Sequence, residues 1–186
     1  MRRIWFQEAQ LTTFLIPYPE TATKMRAMAI VELQDLPNVV PKGKRLLGLD
    51  LGTKTIGLAI SDSLFRVAAP LETIRRTKFT KDAEALLRIV AARDVGGLVL
   101  GLPRNMDGSE GPRAQSTRQF AANLLEKLDI PIALWDERLS TMAVERMLID
   151  EADMSRKRRG EVIDKLAAGY ILQGALDALQ RQLPHP

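Results

Sequence analysis

Three acidic positions stand where no structural need puts them: Asp50, the adjacent pair Asp136 and Glu137, and Asp164. Asp50 interrupts the apolar run "LLGLDLG", which reads as a strand. Aspartate is depleted in strands, and burying its charge unpaired is costly. Asp136 and Glu137 follow the apolar run "PIALW" at the end of another expected strand. Asp164 shares a helical stripe with Ala168, Ile171, Leu172, Ala175 and Leu179, so it turns inward with them. Carboxylates gathered at one place repel, and they cannot all stay ionised without a cation. Hard divalent metals such as Mg²⁺ take oxygen ligands, often a few carboxylates with water and a substrate phosphate. On that reading Asp50 is a metal ligand carried by a rigid strand. Simpler roles exist for two of these acids. Asp50 can cap a turn by accepting the amides of Thr53 or Lys54. Asp164, in the first turn of its helix, is favoured by the macrodipole.

The composition narrows the remaining chemistry. The chain has 186 residues, 46% of them hydrophobic and 27% charged, enough for one ordinary domain with a real core. It has no cysteine, which excludes disulfides and thiolate metal sites and suits a reducing cytoplasm. The single histidine, His185, lies between two prolines at the C-terminus, which removes a Ser-His-Asp triad and a conventional zinc site. No apolar run reaches the length of a membrane helix, so no membrane partner is expected. The net charge of +4 suits a polyanionic partner.

Elements must hold these acids in place. Leu46–Leu51 reads as a strand buried on both faces, Gly52-Thr53-Lys54 as a turn, and Thr55–Ser61 as the antiparallel return. A third strand is expected at Ala68–Ile74. Thr80 is the expected cap of a helix running to about Asp94, stopped by Gly96-Gly97. Leu98–Leu100 is a short strand, followed by the loop Gly101–Ala114. A helix then carries Phe120, Leu124 and Leu128, and Pro131–Trp135 is the next strand. Ser140 is the expected cap of a helix with Val144, Met147 and Leu148. The basic run "RKRRG" leads as a loop into a last helix ending near Gln180. A leading hairpin followed by strand–helix alternation predicts an α/β domain, a mixed sheet covered by helices. Asp50 and the 136/137 pair then lie outside the carboxyl ends of strands, where active sites of such sheets gather.

The first 27 residues keep no period and hold one of the two tryptophans and one of the two tyrosines. Met28 is the expected biological start, to be checked by mass spectrometry of the native N-terminus. Residues 1–44 are thus expected to be an N-terminal extension, 45–180 the domain, and 181–186 a tail.

Four motifs in order, "GLDLGTKTIGLAISD", "GLPRNMDGSEGPRA", "DERLST" and "KRRGEVIDKLAAGYIL", resemble the YqgF/RuvX family of Holliday-junction-resolvase-like proteins. The resemblance covers roughly Arg45 to Gln180. It implies a ribonuclease H-like fold whose first three strands are antiparallel. It also implies a cytoplasmic nuclease, dependent on Mg²⁺ (or Mn²⁺), that hydrolyses phosphodiester bonds in nucleic acid and matures the 5′ end of 16S rRNA. The family's acids match Asp50, the pair Asp136 and Glu137, and Asp164. Chain neighbours point apart, so one of the pair faces the metal and the other pairs with a base such as Arg138; Glu137 is the favoured ligand. Lys54, Arg104, Asn105, Arg138, Lys165 and the run Arg156, Lys157, Arg158 and Arg159 are the candidate nucleic-acid contacts. Two other classes remain open. "DLGTKTIG" resembles the phosphate hairpin of actin-like ATP-binding proteins, but those need two such domains. A catalytically silent rRNA-binding factor keeps the same fold, and branched DNA is an alternative substrate.

Overall fold

The structure, a computed structural model, describes residues 29–139 and 156–182. A six-stranded sheet in the order β1-β6-β5-β2-β3-β4 forms its centre. The strands are β1 (Ile30–Val31), β2 (Arg45–Leu51), β3 (Thr55–Ser61), β4 (Ala68–Arg75), β5 (Val95–Leu102) and β6 (Ile132–Asp136). Strands β2, β3 and β4 follow one another antiparallel, whereas β5 is parallel to β2 and β6 to β5. This is the mixed, helix-covered α/β sheet of the ribonuclease H-like class.

Alternation along β2 explains why it is apolar on both faces. Leu47 and Leu49 point into a core shared with Ile56, Leu58, Leu98 and Leu100 and with helices α2 (Phe79–Ala92) and α3 (Pro112–Leu125). Leu46 points the other way, into a core with Val99, Ala133, Trp135 and helix α4 (Arg156–Gln182). Gly48 and Asp50 alternate with Leu47 and Leu49 and therefore face α4.

Several boundaries differ from the expected ones. Residues 30–44 are packed rather than appended: β1 pairs with β6, and the short helix α1 (Leu36–Val39) places Leu36 at 0% exposure under the sheet. Thr80 lies inside α2, whose N-cap is Lys78, with no side-chain cap bond. Asp82 serves that end instead, accepting the Thr77 amide at 3.0 Å. Gly96 and Gly97 are strand residues, and the reversal is made by Asp94 at φ 54, a left-handed conformation that Asp tolerates. The basic run is the first turn of α4, not a loop before it. Residues 1–28 and the expected helix after Ser140 lie outside the described residues. Among the described residues no helix is long and apolar enough to cross a membrane.

Candidate active site

Asp50 is the penultimate residue of β2 and is half-buried. Its cross-strand partner is Gly57 on β3. A Cβ at Gly57 would run into the backbone carbonyl of Asp164, with the Asp164 Cα only 3.2 Å away. The missing side chain therefore lets α4 settle directly on the strand next to Asp50, and it settles there at Asp164. Lower down, Ala168, Leu172 and Leu176 fill the same face, all at 0% exposure. Asp164 is thus the polar end of an otherwise apolar stripe. It is the ninth residue of α4, beyond the first turn where the macrodipole acts, so the helix-cap role is overturned. The turn-cap role for Asp50 also fails: among the described residues neither Thr53 nor Lys54 donates to its carboxylate.

The neighbours Asp136 and Glu137 go to opposite sides of the sheet. Asp136 ends β6 and is gripped by Arg138, whose Nη2 lies 2.7 Å from Oδ2 and whose Nε lies 3.0 Å from Oδ1. Those bonds, first among the causes, hold its carboxyl below the usual range. Asp136 lines a polar cavity of about 240 Å³ with Leu102, Leu134, Arg104, Arg118 and β1. Glu137 opens a short 3-10 turn and lies on the α4 side, over Gly101 of β5.

The electrostatics link three acids. Burial, then the charge of Asp164, push the Asp50 carboxyl up to about 6, against the pull of Arg113. Burial, then the charge of Asp50, push Glu137 up to about 7, again against Arg113. Arg113 is the cation common to both. It stands exposed in the first turn of α3, where the macrodipole disfavours a base. A base so placed, inside the motif "GPRA", is the sequence signal for a site residue absent from the expected set.

Among the described residues, the expected nucleic-acid contacts divide into those with a polar partner and those without. Lys54 is exposed at the β2–β3 turn, and Lys165 is half-buried beside Asp164. Arg104 is engaged, with Nη2 2.9 Å from Glu110 and Nη1 4.0 Å from Asp136, while its buried Nε has no hydrogen-bond partner among the described residues. Arg118 also bonds Glu110, at 2.6 Å, and Arg118 and then Arg104 drive the Glu110 carboxyl down to about 2. Asn105 closes its own loop on Ser109, donating its amide to the carbonyl at 2.9 Å. Arg138 reaches that loop through the Met106 carbonyl at 3.1 Å. The side chains of Arg156, Lys157, Arg158 and Arg159 lie outside the described residues.

No three His, Cys, Asp or Glu side chains stand close enough to enclose an ion among the described residues. Asp50 and Glu137 still supply two hard oxygen donors on one face. One or two protein carboxylates, completed by water and substrate phosphate, is the usual demand of Mg²⁺.

The mixed sheet places acids outside the carboxyl ends of β2 and β6, where sites of such sheets gather. The chain belongs to the RuvX family, described as Holliday junction resolvase, whose model matches residues 44–178. It is 60% identical to a protein of Phenylobacterium zucineum named "Putative pre-16S rRNA nuclease", over 82% of this chain and 99% of that one. A protein of the same name from Cereibacter sphaeroides (strain ATCC 17025) is 65% identical over 79% of this chain and 91% of its own. One from Rhodospirillum rubrum is 59% identical over 84% and 98%. Among solved structures, Thermus thermophilus RuvC bound to a Holliday junction is similar with a TM-score of 0.49 at 13% identity, covering 75% of this chain and 97% of that one. The yeast mitochondrial resolvase Ydc2 is similar with a TM-score of 0.45 at 11% identity, covering 81% and 86%.

Proposed function

We propose that this protein is a metal-dependent endonuclease of the bacterial cytoplasm that hydrolyses a phosphodiester bond in pre-16S rRNA, at the 5′ end. One observation carries the reading: Asp50, Glu137 and the Asp164 turn of α4 meet on one face, in a family whose relatives carry that nuclease name. Asp50 and Glu137 would hold Mg²⁺ or Mn²⁺, with Asp164 as the third acid. A bound cation of this kind supplies charge to the developing phosphorane and acidifies the attacking water. The chain does the rest. The sheet fixes Asp50, and α4, seated on Gly57, keeps Asp164 beside it. Arg113, whose charge acts on both Asp50 and Glu137, and Lys54, exposed at the β2–β3 turn, neutralise phosphates of the substrate. In this reading a carboxylate or a phosphate oxygen takes the proton.

Branched DNA is the second reading, and the family's description as a Holliday junction resolvase favours it. A silent rRNA-binding factor is the third. Purified protein incubated with a pre-16S 5′ leader and with a four-way DNA junction, in Mg²⁺ or in EDTA, separates them. Leader cleavage in Mg²⁺ alone is expected. Junction cleavage alone supports the second reading, and binding without cleavage the third.

A further inference from the structure

The strands that carry the site lie in the order β6-β5-β2, so β5 stands between Glu137 and Asp50. Neighbouring strands are about 4.8 Å apart, so the two acids start two strand spacings from each other. For Glu137 to approach Asp50, its side chain has to cross β5. The register fixes the crossing point. Leu100 is opposite Leu49 on β2, so Gly101 stands level with Asp50, and Gly101 is opposite Trp135 on β6, two residues before Glu137. A Cβ on residue 101 would collide with Glu137 Oε1 and stand 3.0 Å from Glu137 Cγ and 2.6 Å from Ile171 Cδ1.

We infer that Gly101 is a positioning residue: the space left by its missing side chain is the slot through which Glu137 reaches across β5 to the acid site. The inference rests on the reading of Glu137 as a site acid. It accounts for two residue types together. Position 101 takes glycine because α4, through Ile171, closes the slot from above. Position 137 takes glutamate because aspartate, one methylene shorter, would stop over β5.

Two collisions meet at the slot, so the test removes one of them throughout. In an Ile171→Val background, which lacks Cδ1, Gly101→Ala is made with Glu137 intact and with Glu137→Ala. Each protein is measured for kcat and KM of cleavage, for Mn²⁺ affinity by calorimetry on the metal-free protein, and for melting temperature. With Glu137 present, Gly101→Ala is expected to lower kcat roughly tenfold to a hundredfold, as a displaced reactive group does. KM stays nearly constant, Mn²⁺ binding weakens and melting falls by several degrees. With Glu137→Ala, the same glycine substitution is expected to change none of these. Equal losses in both backgrounds, or failure to fold in both, overturns the inference. Full activity and Mn²⁺ affinity of Gly101→Ala overturns it while sparing Glu137, provided that Glu137→Ala is inactive. Full activity of Glu137→Ala overturns both the inference and the acid's role.

Discussion

At the scale of single residues, two adjacent acids do opposite work. Asp136 is locked by Arg138 and kept ionised, whereas Glu137 is half-buried and pushed up to about 7 by that burial and then by the charge of Asp50. Asp136→Asn is therefore expected to cost about 1 kcal/mol or less, the range of a partly exposed ion pair. Cleavage should stay within roughly tenfold of wild type, while Glu137→Gln loses roughly a hundredfold or more. Steady-state kinetics on the two variants check the assignment. The raised carboxyls also fix a pH dependence of stability. Asp50 moves from 3.8 to about 6 and Glu137 from 4.5 to about 7. Each holds its proton more tightly folded than unfolded, so its stability contribution is full below the unfolded pKa and lost as pH rises through the folded one. Metal-free protein should lose stability between about pH 4 and pH 7, by roughly 2–3 kcal/mol in total after allowance for solvent screening. Glu137→Gln should remove the upper part of that loss, and urea melts across the pH range would reveal it. That chain neighbours point apart was readable from the sequence alone. Which one turned to α4 was not, because it depends on the register of β6 against β5.

At the scale of elements, the decisive contact is α4 on β3. Because a Cβ at Gly57 meets backbone rather than a yielding side chain, Gly57→Ala cannot be absorbed by a rotamer change. It should destabilise by about 3 kcal/mol or more, beyond ordinary overpacking, and urea denaturation measures it. The apolar stripe of α4 was legible from its spacing, and the structure buries Ala168, Ile171, Leu172, Ala175 and Leu179 along it. Its start was not legible. "RKRRG" ends in glycine and puts bases where the macrodipole repels them, so local rules read it as loop. The same mismatch yields a prediction. Replacing Arg156, Lys157, Arg158 and Arg159 with Ser relieves the dipole, so stability should hold or rise. Nucleic-acid affinity should fall, and its log–log salt slope should flatten by about one unit for each phosphate no longer neutralised. An unchanged slope in salt titrations would remove the run from the interface. The β5 boundary was missed for a related reason: Gly96 and Gly97 look like a helix stop, yet the sheet uses them where Val40 and Lys44 pack close.

At the scale of the whole molecule, the sheet divides two kinds of polar chemistry. On the α4 side, Asp164 raises the Asp50 carboxyl and Asp50 raises that of Glu137, with Arg113 as the counter-charge common to Asp50 and Glu137. On the other side, Asp136, Glu110, Arg104, Arg118 and Arg138 are paired among themselves. Under the proposed reading the first arrangement binds a cation, and the protein should then gain stability from Mg²⁺ through linkage. The most direct measurement is single-turnover cleavage of a pre-16S 5′ leader in Mg²⁺ by wild type and by Asp50→Asn, which keeps the size of the side chain and removes its charge. The account predicts at least a roughly hundredfold slower rate for Asp50→Asn, with folding retained or improved as carboxylate repulsion is relieved. Cleavage at the wild-type rate by a folded Asp50→Asn protein would contradict it.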